Sequence, residues 1–372
     1  MRKNTIFARM IIEPVHNDIS LAKTLDKRIY LDSHIFELLK EKVFNLFWHY
    51  IGDKSYLNSQ HNLYPFTLLE NYLNEPLVLS SDVDNNIYCL SNVCNHRGSI
   101  LVKKECQAPH IRCSYHGRMF KLNGQFVSMP EFKKVQHFSP ENNHLPSLPI
   151  KNLGDMLFTS LNPAFNFERV FNEIVTKLDW YPFDQLKLCP NKPINSFFVK
   201  ANWALYCENY LEGFHIPFIH PVLNSFIDFK TYTTEIFEFS NVQLGKSKSP
   251  SDCFDNIPPD NIFYNQNIAA FYFWVFPNLM INIYPWGISL NEVIPIDLNN
   301  TKVNFISYIF DQSKRGQGAG GDLNTVQQED EEIVELVQKG IRSSFYKHGR
   351  YSPDREQGTH HFHRLLAEFL NK

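Results

Sequence analysis

Cys94-Asn95-His96 is followed, after sixteen intervening residues, by Cys113-Ser114-Tyr115-His116. Two thiols and two imidazoles, delivered as two mixed pairs, constrain the surrounding chain more than any other feature. An iron–sulfur cluster with two thiolates on one iron and two neutral imidazoles on the other uses this donor mixture. The imidazoles raise its potential from roughly −400 mV to about −150 mV or above, which suits one-electron transfer. Zinc is the competing occupant, but zinc sites group like ligands as C-x₂₋₄-C and H-x₃₋₅-H. Here each pair mixes Cys with His. Gly98 after the first pair and Gly117 after the second let two loop tips bring backbone N–H groups close to sulfide atoms.

Cys94-x-His96-Arg97-Gly98 with Cys113-x-Tyr115-His116-Gly117 resembles the Rieske signature of ring-hydroxylating oxygenase large subunits. Arg118-Met119-Phe120 follows, where many members carry Trp directly after that Gly. This variant, with Ser128-Met129-Pro130-Glu131-Phe132, is similar to the branch of choline, carnitine and glycine betaine monooxygenases.

The chain has 372 residues, enough for two domains and a sizeable core. Its 43% hydrophobic and 20% charged residues fit a globular protein, and a net charge of −3 gives no reason to expect nucleic-acid or anionic-membrane binding. Seven cysteines are too few and too irregular for a disulfide framework, so the expected compartment is the cytoplasm. The apolar run from Ile6 is broken by Arg9 and lacks a small-residue cleavage site, so no secretory signal is expected. Phe271–Leu290 is apolar, but Pro277, Asn278, Asn282 and Pro285 make it strands and a turn rather than a membrane span.

Periodicity predicts a helix over 34–49 and short strands with turns from about 63 to 160. Beyond 165 it predicts helices at 203–215, 326–347 and 361–370, with strands at 233–241, 268–276, 279–284, 287–295 and 302–310. Arg315–Gly321 reads as a mobile Gly-rich loop. The domain expectation is an N-terminal helical segment over 1–44, a cluster domain over 45–160 and a catalytic domain over 161–372.

Electrons need a destination. Glu212 and His215 are three residues apart, which puts them on one face of a helix. Pro217 disrupts that helix, so His220 can approach the same point from another direction. Two His and one carboxylate with open positions form the facial triad of non-haem Fe(II) oxygenases. In a chain with 15 His, one His-x₄-His pair carries little weight alone; its conjunction with the cluster motif upstream gives it force. The carboxylate is sought in Gln328-Glu329-Asp330-Glu331-Glu332, although a run of acids is ordinarily a solvated helix start.

The resemblance extends over roughly residues 45 to 370 and implies an α+β architecture. It comprises an all-β Rieske [2Fe-2S] domain and a helix-grip, START-like catalytic domain with a curved antiparallel sheet. It implies cluster ligands Cys94, His96, Cys113 and His116, and mononuclear iron ligands His215, His220 and Asp330, with Glu329 as the alternative acid. It implies that Glu212, where many members have Asp, bridges the cluster of one subunit to the iron of its neighbour in a homotrimer, with Asn209 beside it. Glu356, His361 and Phe362 resemble the family's C-terminal segment, and His360, His361 and His363 are expected to be structural. Implied partners are an NAD(P)H-dependent flavin or iron–sulfur reductase, O₂ and a small substrate. No dinucleotide fingerprint stands out in this chain.

The leading expectation is an oxygenase that hydroxylates a small organic molecule, with a quaternary amine favoured over an aromatic acid. Two readings of other classes compete: an electron-transfer protein with a vestigial second site, and a ligand-binding sensor on the helix-grip scaffold. The strand 271–276 alternates, so Tyr272, Trp274 and Phe276 share one face and Phe271, Phe273 and Val275 the other. Either face could line a pocket for a cation or an aromatic ring, or form ordinary core.

Overall fold

The computed structural model describes residues 11–190, 194–321 and 323–372, so most of the apolar run from Ile6 lies outside the described residues. The chain divides into two units. One comprises residues 47–164 with 183–185; the other takes the chain up to residue 46, residues 165–182 and everything from 186.

The smaller unit is built from three antiparallel sheets among the described residues. Leu63–Leu68, Glu75–Ser81, Ile87–Ser91 and Ser147–Leu148 form the largest, and Ile111–Arg112, Met119–Phe120 and Phe126–Ser128 a second. The third joins His49–Asp53 to Met156–Thr159 and then Ile150–Leu153. That pairing corrects the expected helix over 34–49. The helix stops at Lys42, a short 3₁₀ turn covers Phe44–Leu46, and His49 onward is claimed by the ladder with Thr159. Helical spacing upstream was real, but cross-strand bonds outrank local propensity for the last residues. Val78, Leu90, Ile111 and Phe120 form a core that includes Cys94 and Cys113, so the thiols rise from the packed interior.

The larger unit is dominated by an eight-stranded antiparallel sheet. Lys187–Leu188 and Ile194–Val199 both pair with Asn300–Ile309. The order continues through Gly287–Asp297, Leu279–Tyr284, Ile268–Val275 and Ser240–Lys246 to Thr233–Ile236. The expected strand over 233–241 is corrected to a hairpin: Phe237 bonds back to Ser240 and reverses the chain. Period-2 alternation gives the sheet a polar row on one face. Gln243, Tyr272, Asn282 and Ser289 stand side by side on successive strands, and all four are buried. Buried polar groups must be bonded. Gln243 Nε2 accordingly donates to the Tyr210 carbonyl at 2.6 Å and Asn282 Nδ2 to the Ser289 carbonyl at 3.0 Å.

Three of this unit's described helices bear on the site: Trp203–Tyr210, Leu323–Gly340 and Gln357–Asn371. Fully buried Trp203 is held edge-on by Phe44 at 5.0 Å and Phe362 at 5.8 Å. The helix expected over 326–347 stops at Gly340, where Ser343 turns back onto the Gly340 carbonyl. His360 bonds to the His16 carbonyl at 2.8 Å and His361 to the Glu238 carbonyl at 3.3 Å. Burial also pushes the pKa of His361 down to about 4, as expected for a neutral packing residue. No helix among the described residues is long and apolar enough to cross a membrane.

Candidate functional site

The two Cys-x-His tips of the smaller unit share one geometry. Gly98 N–H donates to the Cys94 carbonyl at 2.9 Å, and Gly117 N–H to the Cys113 carbonyl at 3.0 Å. Each glycine has φ near +72°, a conformation that a Cβ would strain, so both tips need glycine. The turns carry His96 and His116 to ring centroids 4.9 Å apart. Cys94 and Cys113 lie beneath them, each 2% exposed. The fit to a cluster shows in an orphan: His116 Nδ1 is buried without any hydrogen-bond partner. Burial opposes ionisation of Cys113, but the N–H groups of Tyr115 and His116, with Cys94 and Ser99, outweigh it and hold this thiol below the ordinary value. Two buried thiols beneath two imidazoles, one with an unpartnered nitrogen, are the donor set an iron–sulfur centre requires.

The second constellation lies in the larger unit. Asn202 caps the Trp203–Tyr210 helix through Ala204 N–H at 3.0 Å. That helix ends at Tyr210, correcting the expected boundary of 215. The break precedes Pro217 and depends on Gly213, where a Cβ would stand 2.5 Å from the Tyr232 ring. Pro217 instead opens a new single-turn helix, Ile216–Ile219. Glu212 and His215 are thus adjacent through a turn rather than through helix periodicity. One Glu212 oxygen accepts from the N–H groups of Phe214 and His215, and the other meets His215 Nδ1 at 2.7 Å.

His215 Nε2 and His220 Nε2 converge to 3.1 Å, and Asp330 Oδ1 sits 3.0 Å from the latter and 3.7 Å from the former. These three groups can hold a metal ion, since one donor atom from each lies within 4.8 Å of the others. Asp330 arrives on the Leu323–Gly340 helix, which packs on the Trp203–Tyr210 helix. Tyr206 bonds to Gln327, Asn202 N–H to Gln338 Oε1 at 2.7 Å, and Asn209 Nδ2 to Asp330 Oδ1 at 2.6 Å. Of the two candidate acids, Glu329 points elsewhere: its Oε2 meets His220 Nδ1 at 2.7 Å. Each imidazole therefore offers Nε2 to the common point and ties Nδ1 to a carboxylate, which fixes ring orientation and raises basicity. Burial opposes protonation of His220, but Asp330 and Glu329 more than offset it, and its pKa lies above the ordinary value. A cation bound here competes with a proton for His220.

Beside these residues is a cavity of about 100 Å³, the scale of one small molecule. Its walls include Tyr210, Tyr232, Tyr272 and Tyr284, with Gln243, Asn282 and Asn291 from the polar face of the sheet. Sequence reasoning singled out only Tyr272 among these. The usable signal was parity: Asn282, Ser289 and Asn291 interrupt otherwise apolar strands on the face shared with Tyr272. Tyr272 is buried and its hydroxyl lacks a well-directed partner.

Arg315–Gly321, expected to be mobile, is packed at Ala319 and Gly320, and Ala319 forms part of the cavity wall. A Cβ on Gly320 would stand 2.6 Å from Trp286 Nε1 and 3.0 Å from the Tyr284 ring. Gly320→Val is therefore expected to cost about 1–3 kcal/mol of stability, the usual range for overpacking. It should also raise KM, because Tyr284 lines the cavity and is one of the rings the new side chain displaces. Thermal denaturation and substrate-dependent O₂ uptake check this; an unchanged Tm and KM would show that the segment swings clear.

Comparison with known proteins bears on both constellations. Residues 47–139 match the family described as Rieske [2Fe-2S] domain, and residues 176–372 match ring hydroxylating alpha subunit (catalytic domain). The chain is 29% identical over 367 residues to choline monooxygenase, chloroplastic, of Arabidopsis thaliana, covering 94% of this chain and 83% of that one. It is 27% identical over 368 residues to the carnitine monooxygenase oxygenase subunit of Escherichia coli (strain K12), covering 93% and 94%. Among solved structures, a quaternary ammonium Rieske monooxygenase in complex with substrate L-carnitine has a TM-score of 0.77 at 23% identity, covering 97% of this chain and 100% of that one. Naphthalene 1,2-dioxygenase from Rhodococcus sp. has a TM-score of 0.70 at 16% identity, covering 93% and 94%.

Proposed function

The chain belongs to the ring-hydroxylating oxygenase alpha-subunit family, and from that premise we propose that it hydroxylates a small organic cation, a quaternary amine by preference. It is the oxygenase component of a multicomponent Rieske system that takes electrons from a separate reductase and uses O₂, with a [2Fe-2S] cluster and a mononuclear iron as cofactors. When bound, the mononuclear iron supplies the O₂-activating centre and the cluster supplies single electrons.

The observation that carries the substrate reading is the composition of the cavity. Five tyrosines and five amides line the cavity beside the two His and Asp330, and no Lys or Arg is among the described lining residues. Tyrosine faces attract a cation by about 0.5–2 kcal/mol each. An aromatic carboxylate would find no Lys or Arg in this wall to pair with and would lie close to the Asp330 and Glu212 carboxylates. The choline and carnitine monooxygenase names of its relatives support the same class.

In this reading Cys94, His96, Cys113 and His116 hold the cluster, and His215, His220 and Asp330 hold the mononuclear iron. Glu329 orients His220, and Asn209 orients Asp330. Glu212 keeps His215 Nδ1 engaged and, at 15% exposed, its carboxylate is open to a neighbour. We infer that it links His215 to the cluster of an adjacent subunit in a homotrimer, with the electrons drawn from an NAD(P)H-dependent reductase. The five cysteines outside the cluster, none of them in a disulfide, support a reducing compartment such as the cytoplasm.

The test is O₂ uptake and product formation with a generic reductase, comparing choline and carnitine with benzoate-type acids. Coupled oxidation of a cation and none of the acids is expected. Turnover of an aromatic acid with no response to the cations would overturn the reading.

A further inference from the structure

Arg118 follows the second Cys-x-Tyr-His tip and is 2% exposed, one of the largest fully buried side chains. Its guanidinium carbon lies 5.0 Å from the Phe126 ring centroid, 5.6 Å from that of Phe120 and 5.8 Å from that of Phe138. Nη2 donates to Asn143 Oδ1 at 2.7 Å and reaches the Asn143 carbonyl at 3.4 Å. Nε–H is buried without an acceptor. Among the described residues no carboxylate pairs with this cation; the groups that can act on it as anions are Cys94 and Cys113, once ligation makes them thiolates. The Arg118 carbonyl also accepts from Cys113 N–H at 2.8 Å, which ties the residue to the base of that tip.

A buried cation with no carboxylate partner is costly, so this arrangement implies a counter-charge at the centre that Cys94 and Cys113 would hold. Two Fe(III), two sulfides, two thiolates and two neutral imidazoles sum to zero net charge. One electron, delivered by the reductase, makes the centre a monoanion. The charge that complements Arg118 therefore arises when the cluster is reduced. The aromatic box excludes water and sustains the attraction.

We propose that Arg118 is a positioning residue for electron transfer: its buried cation, whose Nε–H has no acceptor among the described side chains, favours the reduced state and raises the cluster's reduction potential. Hydrogen bonds and net charge around the sulfurs are the levers by which a protein tunes such a centre. The proposal rests on the four cluster ligands assigned above and is independent of the substrate reading.

The experiment is a spectroelectrochemical titration of the intact, cluster-loaded protein and of three variants. Arg118→Met and Arg118→Gln remove the charge, and Arg118→Lys keeps it. Iron content and the visible cluster spectrum, read first, test the ligand assignment separately from the potential. Loss of the charge is expected to shift the one-electron equilibrium toward the oxidised form at least tenfold, a midpoint lowered by about 59 mV or more. Arg118→Lys should retain most of the wild-type midpoint. If the neutral variants assemble no cluster while Arg118→Lys does so at a wild-type midpoint, the charge requirement stands. An intact spectrum with an unchanged midpoint in either neutral variant overturns the proposal.

Discussion

His220→Ala is expected to leave the cluster's two irons in each chain and to abolish binding of the third. His220 is only 1% exposed, and both of its nitrogens are engaged. Removing the ring takes away one donor and leaves Asp330 and Glu329 facing each other across a hole. Loss of an outer-shell partner alone commonly costs 10–100-fold in metal affinity, and loss of a ligand costs more. Iron analysis after anaerobic Fe(II) loading, beside the visible spectrum of the cluster, decides the matter. A third iron retained at wild-type affinity would remove His220 from the ligand set. The same count discriminates against the electron-transfer alternative, in which the wild type itself would never exceed two.

Glu212→Gln is expected to hold both metals when Fe(II) is supplied in excess and to slow reoxidation of the cluster when substrate and O₂ are present. The carboxylate accepts three bonds together, from Phe214 N–H, His215 N–H and His215 Nδ1. An amide has one oxygen, so whichever way Gln turns, its NH₂ faces a donor. Either the backbone turn or the imidazole contact is lost. A charge-assisted bond carries about 1.5–3 kcal/mol, so a rate effect of roughly tenfold to a hundredfold follows. Single-turnover absorbance of the reduced cluster is the measurement. Reoxidation at the wild-type rate, with both metals present, would reject the bridge.

Much of the catalytic architecture could be read from order and spacing. The mixed Cys–His pairs stand out because their donor atoms come from adjacent residues, which no distant contact can rearrange. The strands from 268 to 309 were legible for a similar reason, since alternation over long buried segments survives in any tertiary setting. The boundaries read less well where a long-range partner intervened. His49 looked helical until Thr159 claimed it, and 233–241 looked like one strand until Ser240 turned the chain. The Gly-rich segment at 315–321 carries every signal of a loop, and only packing against Trp286 and Tyr284 shows that part of it is a wall.

The chain by itself determined which donor types exist and in what order they appear: two thiols, paired imidazoles and an acidic run. These are local facts, written within a few residues of one another. The tertiary structure decided what each donor faces. It turned Asp330, rather than Glu329, toward the two Nε2 atoms, because one step along a helix rotates a side chain by about 100°. It gathered the tyrosine cavity from strands and turns far apart in sequence. It also enclosed Arg118 among three phenylalanines beside two thiols. Orientation and burial depend on contacts between distant segments, and no spacing along a chain encodes them directly.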